Sequence, residues 1–259
     1  MKLYFKKYGE GKPLIILHGL FGMSDNWMTL AKQFSENNFA AYTVDLRNHG
    51  RSPHRDEFNY DVMCDDLLEL LQDEKIAAAD FLGHSMGGKA AMFFAARHPA
   101  LVRHLVVADM SPRAYGPTQE HVMAAIHDVN LDMITSRKEA EEQLRNSLHD
   151  EGTVQFLLKN LYRRDEGENA GEKFAWRFNL SAIEKNNAAI GVALPAGSRF
   201  DGPVLFVRGD RSGYITGEDE QLIKKHFPKA VISTVADAGH WVHAENPKGF
   251  MDVVVPFLV

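Results

Sequence analysis

Residues 79–98 read ADFLGHSMGGKAAMFFAARH. A short apolar run closes on Gly83-His84-Ser85-Met86-Gly87 and opens into an Ala-, Met- and Phe-rich stretch with helical character. A G-x-S-x-G motif alone is a weak signal, but between a strand and a helix it is the setting of a nucleophile elbow. Its small residues answer a steric need. A sharp strand-to-helix turn forces Ser85 into a strained backbone conformation, and the flanking glycines let neighbouring chain pass without clash. The result is an exposed hydroxyl at a helix N-terminus, where backbone N–H groups stabilise negative charge. Gly88 extends the motif.

Outward from the elbow, apolar runs alternate with amphipathic helices. LYFKKY (3–8), a Gly-Glu-Gly turn and PLIILHG (13–19) read as a short antiparallel start feeding a buried strand. A helix carrying Trp27, Leu30, Ala31 and Phe34 on one face follows, at the i, i+3, i+4, i+7 spacing that buries one side. Strand AAYTVD (40–45), helix DVMCDDLLELL (61–71) and strand LVRHLVVAD (101–109) continue the alternation, which argues for a mostly parallel sheet with helices on both faces. From Ala114 to Arg199 no buried strand is evident. HVMAAIHDV (121–129), RKEAEEQLRNSL (137–148), TVQFLLKNLYRR (153–164) and FNLSAIEKNNAAI (178–190) all read as helical. Roughly 85 residues without a strand is long for a crossover. The expected division is therefore an α/β core of residues 1–113 and 200–259 with an all-helical cap of residues 114–199. The sheet resumes with PVLFVRGD (203–210), a helix at whose start Thr216 and Asp219 have capping-box spacing, strand AVISTVAD (230–237) and a closing helix after Asn246-Pro247.

Composition narrows the function. The 259 residues are 45% hydrophobic and 25% charged with a net charge of −6, an ordinary globular make-up with no general attraction for nucleic acid or anionic membrane. No apolar stretch approaches the roughly 18 residues of a membrane span, and MKLYFKKYGEGK at the start has no sustained apolar region, so a cytoplasmic location is expected. The single cysteine, Cys64, lies on an apolar helix stripe and is read as core. No metal site is expected, because neither H-E-x-x-H nor paired cysteines occur, and no cofactor is called for.

With the elbow in place, the chain resembles the α/β-hydrolase superfamily over its full length. The landmarks fall in order: His18-Gly19, Asp45-Leu46-Arg47-Asn48-His49-Gly50-Arg51-Ser52, the GHSMGG elbow, and GHWVHAENP near the end. The resemblance implies a mostly parallel sheet, eight-stranded in the family and about seven here because the start is short, with a helical cap between the family's sixth and seventh strands. It places His240, in the pattern completed by Glu245 and Pro247, as the general base that a serine nucleophile needs. His18, His84 and His243 are read as shaping residues beside it. The oxyanion hole is expected from the backbone N–H groups of Met86, directly after the nucleophile, and of Leu20 in the loop after the first buried strand, with Phe21 the alternative. Leu20, Phe21 and Met86 would make the lining apolar, and Phe21 and Trp241 are candidate substrate contacts.

The acid is less plain. Relatives commonly read G-D-x-D after the seventh strand, whereas Gly209-Asp210-Arg211-Ser212 puts a serine in the acid's slot. A hydroxyl can orient His240 but cannot offset the charge of an imidazolium. Asp109 closes strand LVRHLVVAD at the C-terminal sheet edge where catalytic groups gather, and it precedes His240 in the chain. Asp210 and Asp237 remain alternatives, while Asp45 and Arg47 read as loop braces. Asp109-Met110-Ser111-Pro112 and Arg211-Ser212-Gly213-Tyr214 resemble YbfF-type bacterial acyl esterases. That resemblance implies a triad of Ser85, Asp109 and His240 supported by Ser212.

The expected reaction is hydrolysis of a small-molecule carboxylic ester or thioester of short to medium acyl chain through an acyl-enzyme. Cap residues Met123, Ile126, Met133, Phe156, Leu157, Tyr162, Trp176 and Phe178 are read chiefly as packing, with an acyl pocket as the other assignment. Arg163, Arg164 and Arg177 are read as a solvated basic face, with a phosphorylated leaving group such as coenzyme A as the competing reading. Two rivals stand beside the esterase: a carbon–carbon bond hydrolase using the same residues, and a non-catalytic small-ligand receptor.

Overall fold

The computed structural model describes residues 1–116, 119–164 and 173–259. Nine strands are present among them: β1 (Phe5–Tyr8), β2 (Lys12–Leu17), β3 (Phe39–Val44), β4 (Ala79–His84), β5 (Val102–Ala108), β6 (Leu161–Arg163), β7 (Phe174–Trp176), β8 (Val204–Gly209) and β9 (Ala230–Val235). Seven form one sheet in the order β1-β3-β2-β4-β5-β8-β9. Every neighbouring pair is parallel except β1 with β3. The start of the chain is antiparallel and feeds the buried β2, but the antiparallel partner of β1 is β3 and not β2. Lys12 N donates to Asn38 O at the start of the parallel β2–β3 ladder, and β1 takes the outer edge of β3.

The helices are α1 (Met28–Glu36), α2 (Tyr60–Asp73), α3 (Met86–Arg97), α4 (Glu120–Asp128), α5 (Arg137–Ser147), α6 (Glu151–Leu158), α7 (Leu180–Lys185), α8 (Asn187–Ile190), α9 (Asp219–His226), α10 (Val242–Glu245) and α11 (Pro247–Leu258). Successive strand residues point to opposite sheet faces, and both faces are covered. Leu14, Ile16, Leu82 and Val106 pack with Phe34 of α1 and with Phe250 and Val254 of α11. Ile15, Leu17, Phe81 and Val107 join a larger core that includes Leu67 of α2, Phe94 of α3, Ile223 of α9 and, from the insertion, Ile126. Cys64 is buried in this second core, and burial pushes its thiol up to about 12. Among the described residues no helix is long and apolar enough to cross a membrane.

Between β5 and β8 the chain forms α4 to α8 together with an antiparallel pair, β6 with β7. The pair departs from an all-helical reading. Helix α6 stops at Leu158, and the Arg137 guanidinium takes the carbonyls of Leu158 and Leu161. Leu161-Tyr162-Arg163 then extends against Phe174–Trp176. Serine, aspartate and asparagine side chains at Ser136, Asp150 and Asn179 cap α5, α6 and α7, each accepting an N–H that the first turn leaves unpaired. At α9 the helix starts at Asp219, whose carboxylate turns back onto the amide and hydroxyl of Thr216.

A few polar bonds fasten the insertion to the core. Buried Lys89 of α3 donates to the carbonyls of Arg113, where the insertion begins, and Val192, near where it ends. Tyr60 donates its hydroxyl to Ile190 O (2.7 Å), and the Asn179 amide donates to Asn48 O (2.9 Å).

Candidate active site

The C-terminal ends of β4, β5, β8 and β9 assemble the polar residues. The turn from β4 into α3 holds Ser85 at φ 53° and ψ −121°, a conformation an L-residue keeps only when its surroundings over-determine it. Backbone crowding does so here. A Cβ on Gly83 would stand 2.2 Å from Gly87 O, and one on Gly87 would stand 2.5 Å from His18 O. The Ser85 amide donates to Ala108 O (3.0 Å) at the end of β5. Asp109 follows that carbonyl with φ 50°, and its own amide donates to Val207 O of β8 (2.8 Å). Two strained non-glycine residues thus stand at adjacent strand ends, each tied to the next strand.

His240 reaches them from the loop after β9. That loop crosses the end of β8 at Gly209, where a Cβ would meet Ala238 O at 2.3 Å. Glu245 accepts the amides of Gly239 (2.9 Å) and Trp241 (3.2 Å), and His84 Nε2 donates to His240 O (2.9 Å). Held in this way, His240 Nε2 lies 3.0 Å from Ser85 Oγ and Nδ1 lies 2.7 Å from Asp109 Oδ2. Ser212 Oγ donates to the same Oδ2 at 2.5 Å. A carboxylate only accepts, so the network assigns the proton to Nδ1 and turns the Nε2 lone pair to the serine hydroxyl. The Tyr214 ring stacks on the imidazole at 3.7 Å and 17°.

The other aspartates lie apart from the imidazole. Asp210 accepts the amides of Asp237 (3.1 Å) and Ala238 (3.0 Å), and those bonds, Ala238's first, hold its carboxyl below the usual range. Asp237 gives its amide to Asp210 and its carbonyl to Arg211. Asp45 accepts the amides of Ser24 and Arg51, and Arg47 pairs bidentately with Asp66.

Two histidines fix the loop after β2. His18 Nδ1 donates to Gly19 O (2.8 Å) while its Nε2 accepts from Leu46 N (3.0 Å). His49 Nδ1 donates to Arg47 O (2.9 Å) and its Nε2 accepts from Phe21 N (3.1 Å). Burial lowers His18 to about 4 and His49 to about 3. Phe21 sits at φ 60° with its N–H already engaged by His49, which leaves Leu20 of the two candidate loop amides. His84 and His243 are likewise pushed well down by burial, and the His243 ring stacks on Trp27 at 4.1 Å.

A cleft of about 740 Å³ opens over Ser85 and His240. Leu20, Phe21, Val122, Phe156, Leu157 and Trp241 form its apolar wall, with Asn26, Gln119, Gln155 and Lys159 among its polar residues. Met86 turns into the core instead of lining the cleft. Of the insertion's other apolar side chains, Met123, Ile126 and Phe178 are buried in the core and Met133 is exposed. Arg163 lies over Phe174 and Arg177 over Tyr162, and neither these two nor Arg164 lines the cleft. Among the described residues no group of three or more His, Cys, Asp or Glu is placed to hold a metal ion. Tyr214 and His49 stand in stretches whose other residues draw attention, GDRSGYIT and DLRNHGRS, but a ring over an imidazole leaves no trace in one sequence.

A family model described as the alpha/beta hydrolase fold matches residues 12–247. The chain belongs to the α/β-hydrolase family. This α/β-hydrolase is 37% identical to the sn-1-specific diacylglycerol lipase ABHD11 of Danio rerio, over 98% of its own length and 80% of the relative. It is 35% identical to esterase YbfF of Escherichia coli, over 96% of the chain and 94% of that protein. A solved marine microorganism esterase superposes with a TM-score of 0.94 at 40% identity, covering 99% of both chains.

Proposed function

We propose that this protein is a serine hydrolase of neutral carboxylic esters with short to medium acyl chains, working through Ser85, His240 and Asp109. The observation that carries this reading is the hydrogen-bonded line from Ser85 Oγ through the His240 ring to Asp109 Oδ2. His240 Nε2 takes the hydroxyl proton as Ser85 Oγ attacks the acyl carbon. The carbonyl oxygen gains charge and is held by the amides of Met86 and Leu20. Asp109, steadied by Ser212, stabilises the imidazolium. His240 then hands its proton to the departing alcohol, leaving an acyl-serine. Water, deprotonated by His240, attacks that ester, and the carboxylic acid leaves as Ser85 regains its proton. The described residues between 114 and 199 act as a cap, supplying Phe156, Leu157 and Val122 to the acyl wall.

The cleft's charge favours a neutral ester. Lys159 is the one lysine or arginine among its described lining residues, and Asp150 and Glu245 stand in the same lining. A diketone acid of the kind a carbon–carbon hydrolase takes, or a polyphosphate leaving group, would leave its negative charge poorly matched there. The similarity to an esterase and a diacylglycerol lipase also favours ester substrates over thioesters.

The test is a burst-phase assay on p-nitrophenyl esters from acetate to laurate, run beside Ser85→Ala. Turnover that vanishes in the variant and peaks at the shorter chains is expected. An intact protein that turns over none of these esters, or a Ser85→Ala variant that keeps the activity, would overturn the reading.

A further inference from the structure

Phe21 is gripped on both sides of its backbone. Its N–H donates to His49 of the core, while its carbonyl accepts from Asn160 Nδ2 at 2.8 Å. Asn160 belongs to the insertion, just beyond α6, and is fully buried. Its own place is fixed, because its amide donates to Leu157 O and its carbonyl accepts from Arg177 N. The insertion also meets the Phe21 side chain, whose ring lies edge-on to Phe178 at 5.1 Å. Resting on the serine-hydrolase reading, we infer that Asn160 is a positioning residue for the oxyanion hole: by pinning the Phe21 carbonyl, the insertion sets the direction of the Leu20 N–H.

Physical reasons favour a catalytic consequence over a merely adhesive one. Phe21 at φ 60° lies in a region that costs a non-glycine residue energy and relaxes unless both its peptides are restrained. His49 restrains one peptide, and Asn160 holds the carbonyl of the other, whose N–H on Gly22 donates to Gly19 O (2.9 Å). Oxyanion donors act only when preorganised toward where charge develops, so a loop loosened by one bond loses transition-state stabilisation without losing ground-state contacts. Other seam bonds, such as Tyr60 to Ile190 O, fasten the insertion without touching this loop.

The experiment compares Asn160→Leu and Asn160→Ala with Tyr60→Phe and the wild type. Each is assayed for ester turnover and for the rate at which a fluorophosphonate, whose P=O oxygen occupies the oxyanion position, labels Ser85. Both Asn160 variants should lose about tenfold to a hundredfold in kcat and in labelling rate, less than or equal to the roughly 10²–10³ of a deleted oxyanion donor, with KM within about twofold. Tyr60→Phe should match the wild type in both. Asn160→Ala removes the same donor without adding bulk or charge at this buried position, so it remains informative if the leucine variant does not fold. A rise in KM at unchanged kcat, or wild-type labelling rates in folded Asn160 variants, overturns the inference and leaves the serine hydrolase standing. A wild-type protein that takes no label overturns both.

Discussion

One oxygen of Asp109 accepts from both His240 Nδ1 and Ser212 Oγ, and this shared acceptor ranks the residues around it. Asp109→Asn presents an N–H or a carbonyl in place of a carboxylate and removes the charge that balances the imidazolium, so kcat should fall by about 10³–10⁴. Ser212→Ala removes one hydrogen bond to a charged group and should cost about tenfold to a hundredfold. Asp210→Asn, whose carboxylate serves two backbone amides, should stay within about threefold of wild type. Steady-state kinetics on one ester gives all three, and a larger loss in Asp210→Asn than in Asp109→Asn would reverse the assignment. Tyr214 belongs to the same scale. Its face covers the imidazole at 3.7 Å, where an aromatic ring favours the imidazolium by about 0.5–2 kcal/mol. Tyr214→Phe should therefore keep kcat, and Tyr214→Leu should lower it roughly twofold to thirtyfold. Equal losses in the two variants would assign the effect to the hydroxyl instead of the ring.

The strand-to-helix turn from β4 into α3 shows how an element is written into a sequence. Intrinsic propensity would favour alanine over glycine by about 1 kcal/mol in a helix, yet Gly87 has the His18 and Leu17 carbonyls at 2.5 and 2.6 Å from where a Cβ would go. Backbone atoms cannot swing aside, so crowding outweighs propensity. At Gly88 the nearest backbone obstacle, Gly83 O, lies at 2.9 Å, a milder approach than at Gly87, and the next, a Val107 methyl at 3.1 Å, can yield. Gly88→Ala should thus lose about 1–3 kcal/mol in urea unfolding, with Gly83→Ala and Gly87→Ala at or beyond the top of that range. A Gly87→Ala protein as stable as wild type would contradict the crowding argument. Such local steric demands are why the elbow, the parallel strands and the helical faces were legible from residue spacing. Asp109 was legible as a strand-end carboxylate, though spacing alone left Asp210 and Asp237 open. Pairings that depend on distant chain were not legible: β1 lying beside β3, LYR leaving its helix for β7, Asn160 finding Phe21. Each is decided by a partner more than 10 residues away, and no local pattern encodes that.

At the scale of the whole molecule, four buried histidines make folding sensitive to acid. His18 and His49 each use both ring nitrogens in neutral form, one donating to a carbonyl and one accepting a backbone N–H. A second proton would place N–H against N–H. Burial accordingly lowers His18 to about 4, His49 and His243 to about 3, and His84 well below its ordinary value of 6.5. A depressed folded pKa contributes stability that is complete above the unfolded pKa and lost as pH falls toward the folded one. Between about pH 6.5 and 4 the unfolded chain therefore holds up to four more protons than the native protein. Each proton is worth about 1.4 kcal/mol per pH unit, giving a limiting slope of about 5 kcal/mol per unit. Above pH 7 the balance changes. Buried Lys89, lowered to about 7, gains stability as pH rises, whereas the Met1 amino group, raised by Asp66 and Glu69 against its own desolvation, loses it, and the two oppose. Urea unfolding at pH 8, 7, 6 and 5 should show a nearly level stability from 8 to 7 and a steep fall below 6.5. His49→Gln keeps an acceptor for Phe21 N–H but cannot take a proton, so in a folded variant the acid slope should drop by about one proton, near 1.4 kcal/mol per pH unit. A level profile down to pH 5 in the wild type would mean that these rings protonate in place, and that the polar frame beneath the oxyanion loop is looser than its hydrogen bonds imply.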